Sequence, residues 1–387
     1  MSGDAPLVYL IAGEESGDRL GAPLMAALKQ LTGGNIRFAG VGGSGMVGEG
    51  LENLFPMHDL AVMGVAEVLP RLPQLLARIK QATADIRAKR PTVLVTIDAP
   101  DFNFRVAQQL KGSGIKLVHY VAPTVWAWRP GRAKKVAGFL DHLLALLPFE
   151  PPYFEAHGLP CTYVGHPVLL SGADKGDGAA FRNRYGIAPG APLLAVLPGS
   201  RRSECARMLP VFAATVRRLA ARFPALEVAI PTLPQTHAQI EAIRFAFGVP
   251  IHLVEGDAAK FDAFAAADAA LAASGTVALE LAMAGTPAVI GYRMALPTAI
   301  MVRLLVKGAY ANLVNIMLGR EAVPEFLLED CHDDVMAEAV GELLESAERR
   351  DAQKAAYGEA LGHLGFGTRD PNRRAAEAVL AVMRDGK

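Results

Sequence analysis

Five short runs in the first half of the chain, 7–12, 36–41, 92–97, 116–121 and 142–147, are apolar at nearly every position and lack the every-second-residue polarity of a half-exposed strand. Strands buried on both faces read this way, and they belong to parallel sheets covered by helices. Between the runs, 20–31 and 75–87 carry apolar residues at helical spacing, so a β-α-β rhythm is expected. After Gly165 the stretch LSGADKGDGAA at 170–180 is built of small and acidic residues and reads as a linker. A second cycle follows, with strands expected at 192–197, 227–231, 251–254, 269–273 and 287–292 and a helix at 207–222; from 333 to 384 the pattern is purely helical. The pattern therefore predicts an α/β chain of two doubly wound, Rossmann-like domains facing a cleft, with a helical C-terminal segment. The divisions fall at 1–168, 169–348 and 349–387, the last free to pack back on the first domain.

Composition narrows the function. Apolar residues make up 51% of the 387 and charged ones 20%, enough for two large cores and little disordered tail. Lysine plus arginine equals aspartate plus glutamate at 39 each, so no global field draws nucleic acid and an anionic ligand must be met locally. Cys161, Cys205 and Cys331 are far apart, which argues against a disulfide framework or a cysteine zinc site and for a reducing compartment. No basic n-region precedes the apolar run at Leu7, so no export is expected. The apolar stretch 295–306 is interrupted by Arg303 and falls short of the roughly 20 residues that span a bilayer. Membrane contact is expected to be peripheral, and 60–76 suits either a membrane-facing helix or core packing.

Candidate chemistry lies where strands end. GEESGD at 13–18 follows the first strand and opens a helix, so backbone N–H groups face outward there; its acidic side chains would repel phosphate and suit a hydroxyl-rich sugar. Ser16 and Asp18 are equally suited to capping. GVGGSG at 40–45 matches G-x-G-x-x-G, but it follows the second strand without a good helix after it, and reads as a flexible glycine loop before a nicotinamide fingerprint. Asp98, in TIDAPDFN at 96–103, ends an apolar strand and is the candidate general base, with Asp101 after Pro100 better suited to a turn. HYVAPTVWAWRPGR at 119–132 holds Trp126 and Trp128 followed by Arg129 and Arg132, a pattern for a phosphate-bearing amphiphile or for a packed helix with a basic face. His166 suits a hinge or hydrogen bond rather than a metal, and no H-x-x-x-H or acidic repeat points to a metal site.

In the second half LPGSRRSE at 197–204 again joins strand to helix. Gly199 and Ser200 let amides approach a diphosphate, and Arg201 can neutralise the leaving charge. Ser274, Gly275 and Thr276 repeat the arrangement, with Glu280 about one turn into the next helix, where a carboxylate can accept from ribose hydroxyls.

Taken in this order, GEESGD, IDAPDFN, VWAWR, Gly165-His166-Pro167, LPGSRRSE and SGT with Glu280 resemble the lipid-A-disaccharide synthase family over nearly the whole chain. The resemblance implies a GT-B fold and an inverting transfer from UDP-2,3-diacylglucosamine to the 6-hydroxyl of 2,3-diacylglucosamine 1-phosphate, releasing UDP without metal or cofactor. It implies peripheral association with the cytoplasmic face of the inner membrane and leaves a homodimer open. By the same likeness Asp98 is the base, acting with Arg201; Gly199, Ser200, Arg201, Ser274, Gly275, Thr276, Glu280 and Asn315 form the UDP site; and Glu15, Ser16, Gly17, Asp18, Asn103, His119 and Trp126 face the acceptor sugar. Two departures stand out: Leu313-Val314-Asn315 where the family reads Leu-Pro-Asn, and Leu328 where Pro-Glu-x-x-Gln ends in glutamine. Three rivals remain: a UDP-N-acetylglucosamine 2-epimerase on the same plan, a nicotinamide-dependent oxidoreductase using 40–45, and a non-catalytic nucleotide-sugar binder, which leaves Asp98 without a task.

Overall fold

The computed structural model describes residues 5–60, 65–126, 131–294, 310–368 and 370–384, with the side chains of 65–71 also undescribed. The apolar stretch at 295–306, Trp128, Arg129 and part of 60–76 therefore lie outside the described residues. The chain divides into two compact units, 1–167 with 367–387, and 168–366.

The first unit carries a parallel sheet of β1 (Leu7–Ala12), β2 (Arg37–Val41), β3 (Glu52–Asn53), β4 (Val93–Ile97), β5 (Lys116–Tyr120), β6 (His142–Ala145) and β7 (Cys161–Tyr163) in the order β3-β2-β1-β4-β5-β6-β7. The second repeats the plan with β8 (Leu193–Leu197), β9 (Glu227–Thr232), β10 (Ile251–Glu255), β11 (Ala269–Ala272), β12 (Ala288–Tyr292) and β13 (Glu325–Leu327), ordered β10-β9-β8-β11-β12-β13. Every described pairing is parallel, and β4, β8 and β11 are buried at each position, as their unbroken apolar runs require. Chain order reverses between β1 and β4 in one sheet and between β8 and β11 in the other. In each unit the loops leaving these two strands border that sheet's own switch-point crevice, where open α/β sheets take their ligands.

The expected helical C-terminal segment divides. Helix Ala347–His363 stays with the second unit, where Gln353 donates to the Ala288 carbonyl at 3.1 Å and Tyr357 to the Thr286 carbonyl at 3.3 Å. Gly365 and Gly367, at φ 69° and 75°, turn the chain away. Helix Pro371–Arg384 then joins the first unit, burying Ala375, Ala376, Val379 and Met383 against Leu20, Leu24 and Leu28 of the helix Glu15–Leu31. Each large aliphatic chain so covered contributes roughly 1.5–3 kcal/mol. Leu24 is fully buried and Val47 is 46% exposed. Leu24→Ala is therefore expected to lower the unfolding free energy of this unit by roughly 2–5 kcal/mol, and Val47→Ala to change it by no more than about 0.5 kcal/mol, both read from urea denaturation.

Candidate functional site

The turn leaving β4 is strained. Asp98 and Ala99 both adopt left-handed backbone, at φ 49° and 40°, although neither is glycine. On the neighbouring strand end Val121 sits at φ 86°, an outlier for a β-branched residue. Each such residue costs on the order of 1–3 kcal/mol and persists only where its surroundings over-determine it. Those surroundings are identifiable. Pro100 opens the helix Pro100–Leu110 with φ already set, and the Asp98 amide donates to the Tyr120 carbonyl at 3.0 Å. From the first turn of the helix the fully buried Asn103 donates its Nδ2 to the carbonyls of Asp98 at 2.7 Å and Ile97 at 3.1 Å. Gly13 is required opposite, because a Cβ there would meet the Ala99 Cβ at 2.5 Å. With the backbone fixed, the Asp98 carboxylate points outward, half-buried, and its Oδ2 accepts from Ser16 Oγ at 3.2 Å.

Several residues expected to face a sugar instead hold this turn from below. Asn103 commits its Nδ2 to backbone carbonyls, while its buried Oδ1 finds no partner among the described residues. His119 is buried in β5 between Thr96, whose Oγ1 lies 2.8 Å from Nδ1, and the ring of Phe104 at 4.6 Å, and it also bonds the backbone of Val121. Burial, reinforced by the Arg132 cation, pulls its pKa down to about 3, so the ring is neutral at physiological pH. Asp18 is likewise structural: its carboxylate accepts from the amides of Gly43 at 2.8 Å, Gly45 at 2.9 Å and Met46 at 3.0 Å. The loop 40–45 is thus pinned rather than flexible, and a short helix, Ser44–Gly48, begins within it. With an aspartate seated on its amides, it offers a pyrophosphate no cradle. Gly17 serves packing, since a Cβ there would lie 3.0 Å from that of Ala12. Glu15 and Ser16 are exposed at the start of their helix, and Trp126 packs edge-on against Phe149 at 5.3 Å. Asp101 is exposed in the first helical turn.

In the second unit Gly199, at φ 116°, makes the sharp exit from β8; its carbonyl receives Cys205 Sγ at 3.1 Å. Ser200 is exposed, and its carbonyl accepts from Gln235 at 3.2 Å. Arg201 occupies the N-cap position of the helix Arg202–Arg222 and is 60% exposed; its amide donates to Glu204 Oε2 at 3.4 Å and its guanidinium lies 3.6 Å from Glu204, which also accepts from the Tyr292 hydroxyl at 3.0 Å. After β11, Ser274 Oγ donates to the Ala311 carbonyl at 3.2 Å, and Gly275 and Thr276 are exposed before the helix Val277–Ala284. Glu280, on its first turn, is paired with Lys260 at 3.1 Å.

Asn315 is fully buried and saturated: Nδ2 donates to the Val323 carbonyl and to Glu325, and Oδ1 accepts from the amides of Ala322 and Val323. It cannot also touch a nucleotide with that side chain. It fixes Glu325 instead, whose second oxygen accepts from the amides of Ala311 at 2.8 Å and Asn312 at 3.1 Å, beside Ser274. The departure at Val314 has a local reason. Its amide donates to Asn312 Oδ1 at 2.8 Å, closing a helix cap that proline could not complete. The structure thus brings Ser16 and Asp98 together in the first unit and gathers Ser274, Asn315 and the loop at 310–312 in the second. Glu325, Glu204, Tyr292 and Lys260 were missed. The first two stood inside motifs already marked, while Tyr292 and Lys260 carried no local signal. Among the described residues no group of three or more His, Cys, Asp or Glu is arranged to hold a metal, and no helix is long and apolar enough to cross a membrane.

Solved structures place this architecture. A putative UDP-N-acetylglucosamine 2-epimerase from Listeria monocytogenes matches with a TM-score of 0.62 at 14% identity, covering 99% of this chain and 96% of that one. MurG of Acinetobacter baumannii matches with 0.59 at 14%, covering 98% and 99%. At such identity the likeness is one of fold, and that fold is GT-B, the class of two-domain glycosyltransferases and their epimerase neighbours. Sequence is more specific. A family model described as lipid-A-disaccharide synthetase matches residues 8–379. The lipid-A-disaccharide synthase of Rhodospirillum centenum is 57% identical over 97% of this chain and 94% of its own length, and that of Paramagnetospirillum magneticum 51% identical over 98% of each. The chain belongs to the lipid-A-disaccharide synthase family and is a glycosyltransferase.

The buried titratable groups of the first unit give it a definite pH response. His119 is held at about 3 against 6.5 when free, so as pH falls below 6.5 the unfolded chain takes up a proton the folded one refuses, and stability is lost. Glu150 is the converse. Burial raises its carboxyl to about 7, against 4.5 when free, so the folded form keeps a proton that the unfolded chain loses, and stability falls as pH rises from 4.5 to 7. In urea unfolding at a series of pH values, His119→Gln should gain on the wild type as pH drops from 6.5 towards 4. Glu150→Gln should gain as pH climbs from 4.5 and level off above 7.

Proposed function

We propose that this chain joins two acylated glucosamines, transferring 2,3-diacylglucosamine from its UDP derivative to the 6-hydroxyl of 2,3-diacylglucosamine 1-phosphate. The products are the β-1,6-linked disaccharide 1-phosphate and UDP. The acceptor oxygen forms its bond to the anomeric carbon as the bond from that carbon to the UDP oxygen breaks, and the hydroxyl proton passes to Asp98. Configuration inverts because one displacement occurs. The observation that carries the reading is the strained turn that presents Asp98 at the switch point of one sheet, matched by glycine-bearing turns at both strands of the switch point in the other. Within a chain of this family those turns have one economical use.

The Asp98 carboxylate takes the proton, with Ser16 bonded to the same group holding its orientation. Gly199, Ser200 and Arg201 receive the diphosphate, the amides of Gly199 and Ser200 and the guanidinium of Arg201 at the mouth of the helix Arg202–Arg222 favouring the negative charge that grows as UDP departs. Ser274, Gly275 and Thr276 bound the nucleotide on the other side, and Glu280 takes the ribose. Asn315 acts at one remove, through Glu325 and the loop at 310–312. Cations and amides meet the diphosphate in place of a metal. With lipid substrates, the chain works at a membrane surface, the cytoplasmic face of the inner membrane.

Incubation of the purified protein with both acylated substrates should release UDP and disaccharide in equal amounts by mass spectrometry. UDP-sugar alone should give no epimer; epimerisation without acceptor would favour the isomerase instead. Asp98→Asn is expected to lower kcat by about 10²–10⁴-fold with UDP affinity unchanged in calorimetry. Arg201→Ala is expected to weaken UDP binding on the order of tenfold to a hundredfold.

A further inference from the structure

Helix Asp257–Ala266 contributes nothing to the motifs recognised in the sequence, yet it sends a lysine to the nucleotide turn of the second unit. Lys260 Nζ lies 3.1 Å from Glu280 Oε1 and 3.1 Å from Asp257 Oδ1, and 4.6 Å from the centroid of the Phe261 ring. The side chains of Lys260 and Glu280 are 19% and 17% exposed, whereas that of Asp257 is 72% exposed. The Lys260–Glu280 contact is thus the sheltered one, least screened by salt, and Asp257 and Phe261 hold the ammonium as well. Glu280 stands on the first turn of the helix after Ser274, Gly275 and Thr276. Lys260 occupies one of its oxygens; no described residue bonds to the other.

A glutamate is a loose instrument for reading a pair of neighbouring hydroxyls. Its terminal torsion is broad, and its side chain loses considerable rotamer freedom on being fixed. Gripping one oxygen sets the carboxylate plane and leaves the second aimed at a ligand. The geometry points to Lys260 as a positioning residue that, through Glu280, sets the preference of this site for the ribose diol of a nucleoside diphosphate. The inference rests on the reading of the turns at 199–201 and 274–276 as the nucleotide site, and adds that hydroxyl selection is governed by a lysine 20 residues upstream of the carboxylate.

The test is calorimetric titration of the full chain with UDP and with 2′-deoxy-UDP. Wild type should prefer UDP on the order of tenfold to a hundredfold, the value of a hydrogen bond to a charged group. Lys260→Met should reduce that preference to within roughly threefold while the deoxy ligand binds nearly as before, and Lys260→Arg, which keeps a cationic donor, should restore most of it. Lys260→Gln, neutral but still a donor, should fall between and guards against a methionine variant that folds poorly. A methionine variant with the wild-type preference, or one that loses both ligands equally, overturns the proposal. So does a wild type that binds UDP without preferring it to the deoxy form, whereas a wild type that binds neither overturns the nucleotide reading beneath it.

Discussion

A chain leaving a parallel strand for a helix normally does so through extended or right-handed backbone, and here it does not. At the end of β4 two consecutive side-chain-bearing residues, Asp98 and Ala99, take left-handed conformation, and the chemistry proposed for the first unit depends on that exit. Without it the carboxylate would follow the ordinary course of the strand instead of standing beside Ser16. The strain is balanced by specific contacts: the Asn103 amide on two strand-end carbonyls, the missing Cβ of Gly13, and the pre-set φ of Pro100. His119 stiffens the neighbouring strand from the core, bonding Thr96 and Val121, and its suppressed basicity is the cost of that position. Backbone strain held by buried polar groups is the expected condition of a group that must be ready before its substrate arrives.

In the proposed reaction the second unit has the complementary task of receiving negative charge without a large net field. Its exits from β8 and β11 use glycines at φ 116° and 152°, conformations that leave amides accessible. The nearby carboxylates are tied to cations or hydroxyls: Glu204 to Arg201 and Tyr292, Glu280 to Lys260. Asn315 and Glu325 form a saturated buried network that fixes the loop at 310–312. Such a network rigidifies when every partner is present and would be costly if one were removed. On the proposed reading, the residues that meet a ligand and the residues that aim them are therefore different sets.

That distinction explains what was legible in the sequence. The sheets could be read because strands buried on both faces must be apolar throughout, and 92–97 or 192–197 admit little else. Strands β3, β7 and β13 escaped because two or three residues at a sheet edge carry no periodicity. Asp98 was recognisable as a carboxylate ending an apolar run, and Arg201 as a cation after a glycine turn. Asn103, His119, Asp18 and Asn315 were expected to face substrate, and each faces the protein. A polar residue beside a loop looks the same in sequence whether it bonds a sugar or a buried carbonyl. Lys260 could not be read at all, since its partner lies on another helix.

The claim that matters most is that Asn103 serves the reaction only through Asp98, and a double-mutant cycle addresses it directly. Turnover is measured for the wild type, Asn103→Ala, Asp98→Asn and the double variant under identical conditions. The account predicts a large loss for each single change and no further loss when Asn103 is removed from the Asp98→Asn protein, because nothing remains to be aimed. Losses that multiply independently would show that Asn103 acts by another route, and the strained turn would lose its place as the organising element of the site.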